Sequence, residues 1–346
     1  MNGNDDFLYK FGGFADFQYR EKDLYQNGFT GTNSYETHGE PEKIELQHLV
    51  FRFHSIFKQK YLFGVEFNRH NGSNETFDEL LQRLFLGYRT DTIKIRVGRL
   101  DYGISYFENI MMGYGFSQMP LVLTSQFASF FGDGISIKYG EKSSGEIYFL
   151  KDAISDAQNF GLKFKYQFYN NNFIAYYQNG ESFSKRFDAS STSHEHSHGT
   201  GCSNLSGDEV CFNNEREIFG VGINSKFGDF DFISELIFSK ESGDIRDKSY
   251  LVSDKLEAKS FYSQIIYSPL EDLNFGFRYE TINYKNSFSG SGATEIAEKL
   301  EPQNLEIENL YTFMAGYNFL KYNFLRFEIE KLEKENSFRL QYRLNF

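Results

Sequence analysis

Ser337-Phe338-Arg339-Leu340-Gln341-Tyr342-Arg343-Leu344-Asn345-Phe346, the last ten residues of the sequence, decide how the rest is read. Phe338, Leu340, Tyr342, Leu344 and Phe346 fall on every second position, with Arg339, Gln341, Arg343 and Asn345 between them. Successive side chains of a strand point to opposite faces, so this is the period of a strand and not of a helix. One face meets an apolar medium and the other meets water. A soluble sandwich and a barrel with lipid outside and water inside both satisfy such an alternation.

The totals narrow the choice. The 346 residues include 40 Phe and 24 Tyr but no Trp, a heavy aromatic load on a chain of low mean hydropathy. No segment reaches the roughly eighteen unbroken apolar residues of a spanning helix, so any membrane crossing is by strands of about 9–11 residues. Met1-Asn2-Gly3-Asn4-Asp5-Asp6 has neither the basic start nor the apolar run of a secretory signal, so an exported form is a mature chain with an added or retained Met. The formal charge of −12, with no basic stripe, argues against nucleic acid as a partner.

Read in order, the chain predicts sixteen strands near 7–20, 44–56, 61–67, 79–89, 92–100, 134–140, 145–151, 159–169, 173–183, 216–226, 229–239, 258–268, 273–284, 308–318, 323–331 and 337–346. Connections alternate in length. Those at 57–60, 90–91, 141–144, 170–172, 227–228, 269–272 and 320–322 are short. Those at 21–42, 69–78, 101–133, 152–158, 184–215, 240–257 and 285–307 are long, and only 332–336 on that side is short. Pro41, Pro120, Pro269 and Pro302 all fall in connections, as a residue that cannot donate to a strand ladder should.

The outward sets, such as Leu84-Leu86-Tyr88 and Phe275-Phe277-Tyr279, hold no charge. The inward positions hold Arg20, Arg52, Arg83, Lys94, Arg96, Lys138, Lys163, Arg278, Arg326, Arg339 and Arg343 against fewer acids, among them Asp16, Glu66, Glu280, Glu328 and Glu330. A soluble barrel would show the reverse.

An even strand number, alternating short and long connections and a final strand ending on an aromatic residue, Phe346, resemble the Gram-negative outer-membrane porins. The resemblance implies an all-β, transmembrane antiparallel barrel of sixteen strands formed as one domain over residues 1–346. It further implies short periplasmic turns, long extracellular loops, lipid and lipopolysaccharide around the barrel, and a homotrimer. The connection 101–133 joins the fifth and sixth strands and is apolar for a loop, with Tyr102 to Phe107 and Phe127 to Phe131. It is similar to the third loop of sixteen-stranded general-diffusion and phosphate-selective porins, which folds into the lumen as a constriction. On that reading Asp101, Glu108 and Asp133 face Arg83, Lys94 and Arg96, with Arg52 and Lys138 also lining the pore. Passive diffusion of small hydrophilic solutes and ions with a weak anion preference follows.

The segment 184–215 carries His194, His196 and His198 at alternate positions and Cys202 and Cys211 beyond them. Imidazole, thiolate and carboxylate are zinc ligands, so a Zn²⁺ site on this loop is one reading. A Cys202–Cys211 disulfide in an oxidising exterior is the other. The alternative function is accordingly a non-conducting surface barrel that captures zinc or copper. Catalysis has little support, because no Ser-His or Asp-His grouping stands out and His48, His54 and His70 are scattered.

Overall fold

The structure is a computed structural model that describes residues 2–4, 6–22, 24, 28–30, 33–35, 42–70, 80–101, 105, 116, 119–124, 131–152, 158–188, 205, 209–300, 307–319 and 323–346. Sixteen long strands build the wall: β1 Phe7–Arg20, β2 Ile44–Phe57, β3 Tyr61–His70, β4 Leu81–Arg89, β5 Ile93–Asp101, β6 Phe131–Tyr139, β7 Ser144–Asp152 and β8 Gln158–Phe168. They continue as β9 Asn171–Asp188, β10 Glu209–Phe227, β11 Phe230–Arg246, β12 Leu251–Leu270, β13 Leu273–Ser289, β14 Ile307–Phe319, β15 Asn323–Leu332 and β16 Glu335–Asn345. Each pairs antiparallel with the next. The ring closes where β16 meets β1, with Arg343 opposite Asp16 and Leu344 opposite Ala15. Closure satisfies every ladder and removes the free edges that lipid does not tolerate. At the seam Phe346 and Gly13 exchange backbone hydrogen bonds of 2.9 and 3.1 Å. A Cβ at Gly13 would lie 1.9 Å from the Val50 carbonyl oxygen, so only glycine fits there.

Alternation sorts the faces. Phe51, Leu86, Val97, Ile137, Phe149, Phe164, Phe275 and Phe313 are exposed, whereas Asp16, Arg20, Glu66, Arg278, Glu280, Glu328 and Arg339 are buried. An apolar exterior around a charged interior is the order of a membrane barrel, whose outside is solvated by hydrocarbon.

Five strands overrun the lengths that the sequence predicts. β9 to β13 have 18, 19, 17, 20 and 17 residues, well beyond the roughly 9–11 that span a bilayer. The connection read as 184–215 therefore spans only 189–208, and that read as 240–257 only 247–250. In this tall wall the faces change character. Phe219 pairs with Phe238, and Leu236 with Phe261, but the next outward row is Glu217, Lys240, Glu257 and Lys285 in direct register. Above that row Val210, Phe212, Ile245 and Val252 face inward and are buried. The extension thus has charge outside, which suits water there, and an inner face that is apolar at Val210, Phe212, Ile245 and Val252 beside the buried Arg216–Glu241 pair.

A helix, α2 Ala293–Leu300, covers that inner face, α1 being the single turn Leu121–Thr124. Ile296 and Leu300 pack among Val210, Phe212, Ile245 and Val252. The chain enters α2 through Gly292, whose φ of 87° places it in the left-handed region. A Cβ there would also strike the Tyr250 ring at 2.1 Å.

Candidate functional site

The connection from β5 to β6 reaches across the interior. Ser105 Oγ donates to Glu235 Oε1 on β11 at 2.6 Å, and Lys163 Nζ on β8 donates to the Ser105 carbonyl at 2.7 Å. Glu235 also accepts from Tyr262 at 2.6 Å and Tyr176 at 3.1 Å. Further along, Arg326 Nη1 on β15 donates to the Phe116 carbonyl at 3.0 Å, and the Val122 N–H donates to Glu280 Oε2 on β13 at 3.1 Å. Met119, Leu121, Val122 and Leu123 bury themselves against inward residues that include Ile174, Ile218, Ile233, Ile237, Ile282 and Leu310. On this side of the interior, from β7 round to β14, an apolar cluster surrounds buried charged residues such as Glu235, Arg278 and Glu280. A buried carboxylate with three hydroxyl donors fixes the connection on one side of it, since removing such an acceptor costs far more than an exposed one.

The other side is ionic. Arg83 Nε donates to Asp101 Oδ1 at 2.7 Å, and Arg83 Nη1 lies 3.4 Å from Glu66 Oε2. Glu66 also lies 2.6 Å from Arg52 Nε. Arg96 Nη2 donates to Glu146 Oε1 at 2.8 Å and to Ser136 Oγ at 3.2 Å. Charges nearer the seam are drier: Arg343 holds Asp16, and Arg339 lies 3.1 Å from Glu330 and 3.5 Å from Glu328. Arg52 and Arg96 keep about a fifth of their side-chain surface open and Arg339 almost none, so the wetter lining is on β2 to β7.

At the short-turn end Arg89, Lys94 and Lys138 stand in direct cross-strand register, followed by Glu146. Adjacent like charges repel, so three cations in a row belong in water or beside an anion.

The sequence-predicted residues thus fall into three groups. Arg52, Arg83, Lys94, Arg96 and Lys138 lie along one arc of the inner wall, with Asp101 paired to Arg83. Asp133 departs from the prediction. It belongs to β6, has the outward parity of Ile135, Ile137 and Tyr139, and is held by Arg99 and not by Arg83, Lys94 or Arg96. Glu108, His194, His196, His198 and Cys202 lie outside the described residues. Cys211, on β10, is disulfide-bonded, and a disulfide sulfur offers a metal no thiolate. Among the described residues no cluster of three or more His, Cys, Asp or Glu side chains could hold a metal ion.

Sequence reading missed Glu146, Glu235, Tyr176 and Tyr262, and it missed Met119 to Leu123 as the anchoring part of the connection. The apolar run Met119-Pro120-Leu121-Val122-Leu123 was the available signal for the last of these.

No protein-family model matches the chain, and no curated protein matches it in sequence. Solved structures do match in fold over essentially the whole chain. One is in-vitro folded OmpT of Vibrio cholerae in a trimer form, 11% identical, with a TM-score of 0.60 over 99% of this chain and 100% of that one. A second is Salmonella typhi OmpF in complex with daunomycin, 13% identical, with a TM-score of 0.61 over 100% and 99%. A third is the anion-selective porin from Comamonas acidovorans, 13% identical, with a TM-score of 0.55 over 99% and 100%. The fold is the closed sixteen-stranded barrel of outer-membrane porins.

Proposed function

We propose that this barrel sits in a bacterial outer membrane and acts as a porin, admitting small hydrophilic solutes and ions by passive diffusion. The observation that carries the reading is the inversion of faces, with aromatic side chains outside and charge inside a sheet that closes on itself. Such a wall is solvated by lipid on one side and by water on the other. The β5–β6 connection narrows the lumen from the apolar side, so solutes travel along the arc that carries Arg52, Arg83, Lys94, Arg96 and Lys138.

A weak preference for anions follows from that arc. Carboxylates pair with Arg52, Arg83 and Arg96, and at the mouth formed by the short turns the row of Arg89, Lys94 and Lys138 sets three cations beside the one carboxylate of Glu146. Charge on a pore lining biases which ion enters. The outward row Glu217, Lys240, Glu257 and Lys285 fits the ionic headgroup layer of lipopolysaccharide. A homotrimer is proposed because one of the similar structures is a trimer form.

Reconstitution in planar bilayers under a KCl gradient tests both points. Discrete open-channel steps with a reversal potential of the sign set by chloride are expected. A bilayer that stays silent at high protein load would sink the channel, and a reversal potential of the opposite sign would sink the anion preference.

A further inference from the structure

Arg89 on β4, Lys94 on β5 and Lys138 on β6 stand in direct register at the short-turn end, with the inward parity of Arg83 and Arg96. Neighbouring strands lie about 4.8 Å apart, so the three cations mark out a line about 10 Å long at one-strand intervals. Arg89 is exposed, and Lys94 and Lys138 keep part of their surface open, so the line is reached by water. Like charges directly opposite one another are destabilising, and the wall does little to offset them here. Glu146, next in the row on β7, spends its Oε1 on Arg96 Nη2 at 2.8 Å and Ser136 Oγ at 2.7 Å. Lys138 has no hydrogen bond or ion pair to any described residue.

The frame under the row is tied together. The Arg89 N–H donates to the Lys60 carbonyl at 2.8 Å and its Nε to the Gln59 carbonyl at 3.0 Å, which joins β4 to the turn between β2 and β3. The Gly140 N–H donates to the Thr92 carbonyl at 2.7 Å, which joins the turn after β6 to the turn before β5. Within that turn Thr90 Oγ1 accepts from the Ile93 N–H at 3.0 Å. Cations spaced by strands and held by linked turns are organised before a ligand arrives, which lowers the ordering cost of binding. These turns add exposed Lys58, Lys60 and Lys142 against Asp91 and Glu141, whereas the turns across the rim expose Asp229, Glu271 and Asp272. Positive potential is thereby concentrated on the arc that carries the row.

We infer that Arg89, Lys94 and Lys138 form a binding site for linear solutes that carry two or three carboxylates about one strand interval apart. Each carboxylate meets one cation, and the bound solute relieves the repulsion along the row. A monovalent anion engages one cation at a time and gains nothing from the spacing. The inference deepens the porin reading by giving it a solute class, and rests on it only for the passage of solute past the row.

The test uses the purified full-length barrel in uncharged detergent at fixed ionic strength, with saturation-transfer NMR on the methylene protons of glutarate and tricarballylate as the readout. Tricarballylate should bind more tightly than glutarate, and glutarate more tightly than the shorter malonate. Acetate at equal carboxylate concentration should displace neither. Arg89→Gln and Lys138→Gln should each weaken tricarballylate about threefold, the effect of losing one exposed ion pair. Lys226→Gln removes the same charge from the opposite side of the rim and should leave the affinity as it was. Variants are compared only where heating shifts their electrophoretic mobility as it shifts the parent's, the sign of a closed barrel. Malonate or acetate competing as well as glutarate, inorganic phosphate competing better than glutarate, or equal affinity in Lys138→Gln and Lys226→Gln overturns the site. Because binding is read without a membrane, a silent bilayer with intact binding counts against the channel alone, and a conducting pore without binding counts against the site alone.

Discussion

Arg99 grips Asp133 with two parallel bonds, Nε to Oδ1 and Nη2 to Oδ2 at 2.9 Å each, across the two strands from which the lumenal connection springs. A third bond runs from Arg99 Nη1 to the Leu81 carbonyl at 3.0 Å, tying β4 to the same point. Asp133 is half exposed, so water screens the pair, and Arg99→Gln should cost only about 1 kcal/mol in a denaturation midpoint. The larger effect expected is on the connection. Open-channel current noise should rise as its base loosens, and quiet current in a stable variant would show that the interior contacts suffice.

Glu235 is the stronger anchor. Glu235→Ala removes one acceptor from Ser105, Tyr176 and Tyr262 together, at roughly 3 kcal/mol or more in the closed barrel. Urea unfolding followed by the mobility shift on gels should show the loss, and mean conductance should increase as the connection leaves the wall. Equal conductance in parent and variant would remove Glu235 from any role in setting pore size.

Charge selection is tested by changing Arg83, Lys94 and Arg96 together to Gln. The reversal potential under a salt gradient should move toward that of an unselective pore, or past it, because Glu66, Asp101 and Glu146 then face the lumen without those cations. No movement would place selectivity elsewhere.

The tie between α2 and the β11–β12 turn should fail in acid. Lys299 Nζ donates to Asp247 Oδ2 at 2.7 Å, and the Ser249 and Tyr250 N–H groups donate to Oδ1 at 2.7 and 2.6 Å. Burial pushes the Asp247 carboxyl up, but these donors outweigh it and hold it below its ordinary value. The contribution is therefore whole above the unfolded value of about 4 and fades as pH falls through the lower folded one. A spin label on Glu298→Cys should gain mobility over that window, and Asp247→Asn should show the mobile spectrum already at neutral pH. A label equally immobile in both proteins from neutral pH to below that window would detach the helix from this ion pair.

Strand positions were legible wherever lipid meets the wall, because the outward set is apolar and uncharged, as in Phe275-Phe277-Tyr279. Above the lipid the phase of the pattern reverses. In β12 the outward residues from Ser253 to Lys259 are polar, while Val252, Leu256 and Ala258 turn inward. A reading keyed to outward apolar residues stops at residue 258, seven residues after the strand begins at Leu251. The inner arginines were legible by the same alternation, yet of their partners only Asp101, which meets Arg83, was. Which carboxylate meets which guanidinium depends on register, and a single step places Asp133 on the outer face beside Arg99. Glu235 gave no signal at all, since an inward acid looks the same in sequence whether it is bathed in water or locked beneath a folded-in segment.

The oily packing of Met119 and Leu121 to Leu123 against a bank of isoleucines bears on how wide the bore can be. Strand number fixes the girth of such a cylinder, but the sector that these four residues fill is closed to solutes. Under the porin reading, conductance should therefore fall below what sixteen strands alone would give.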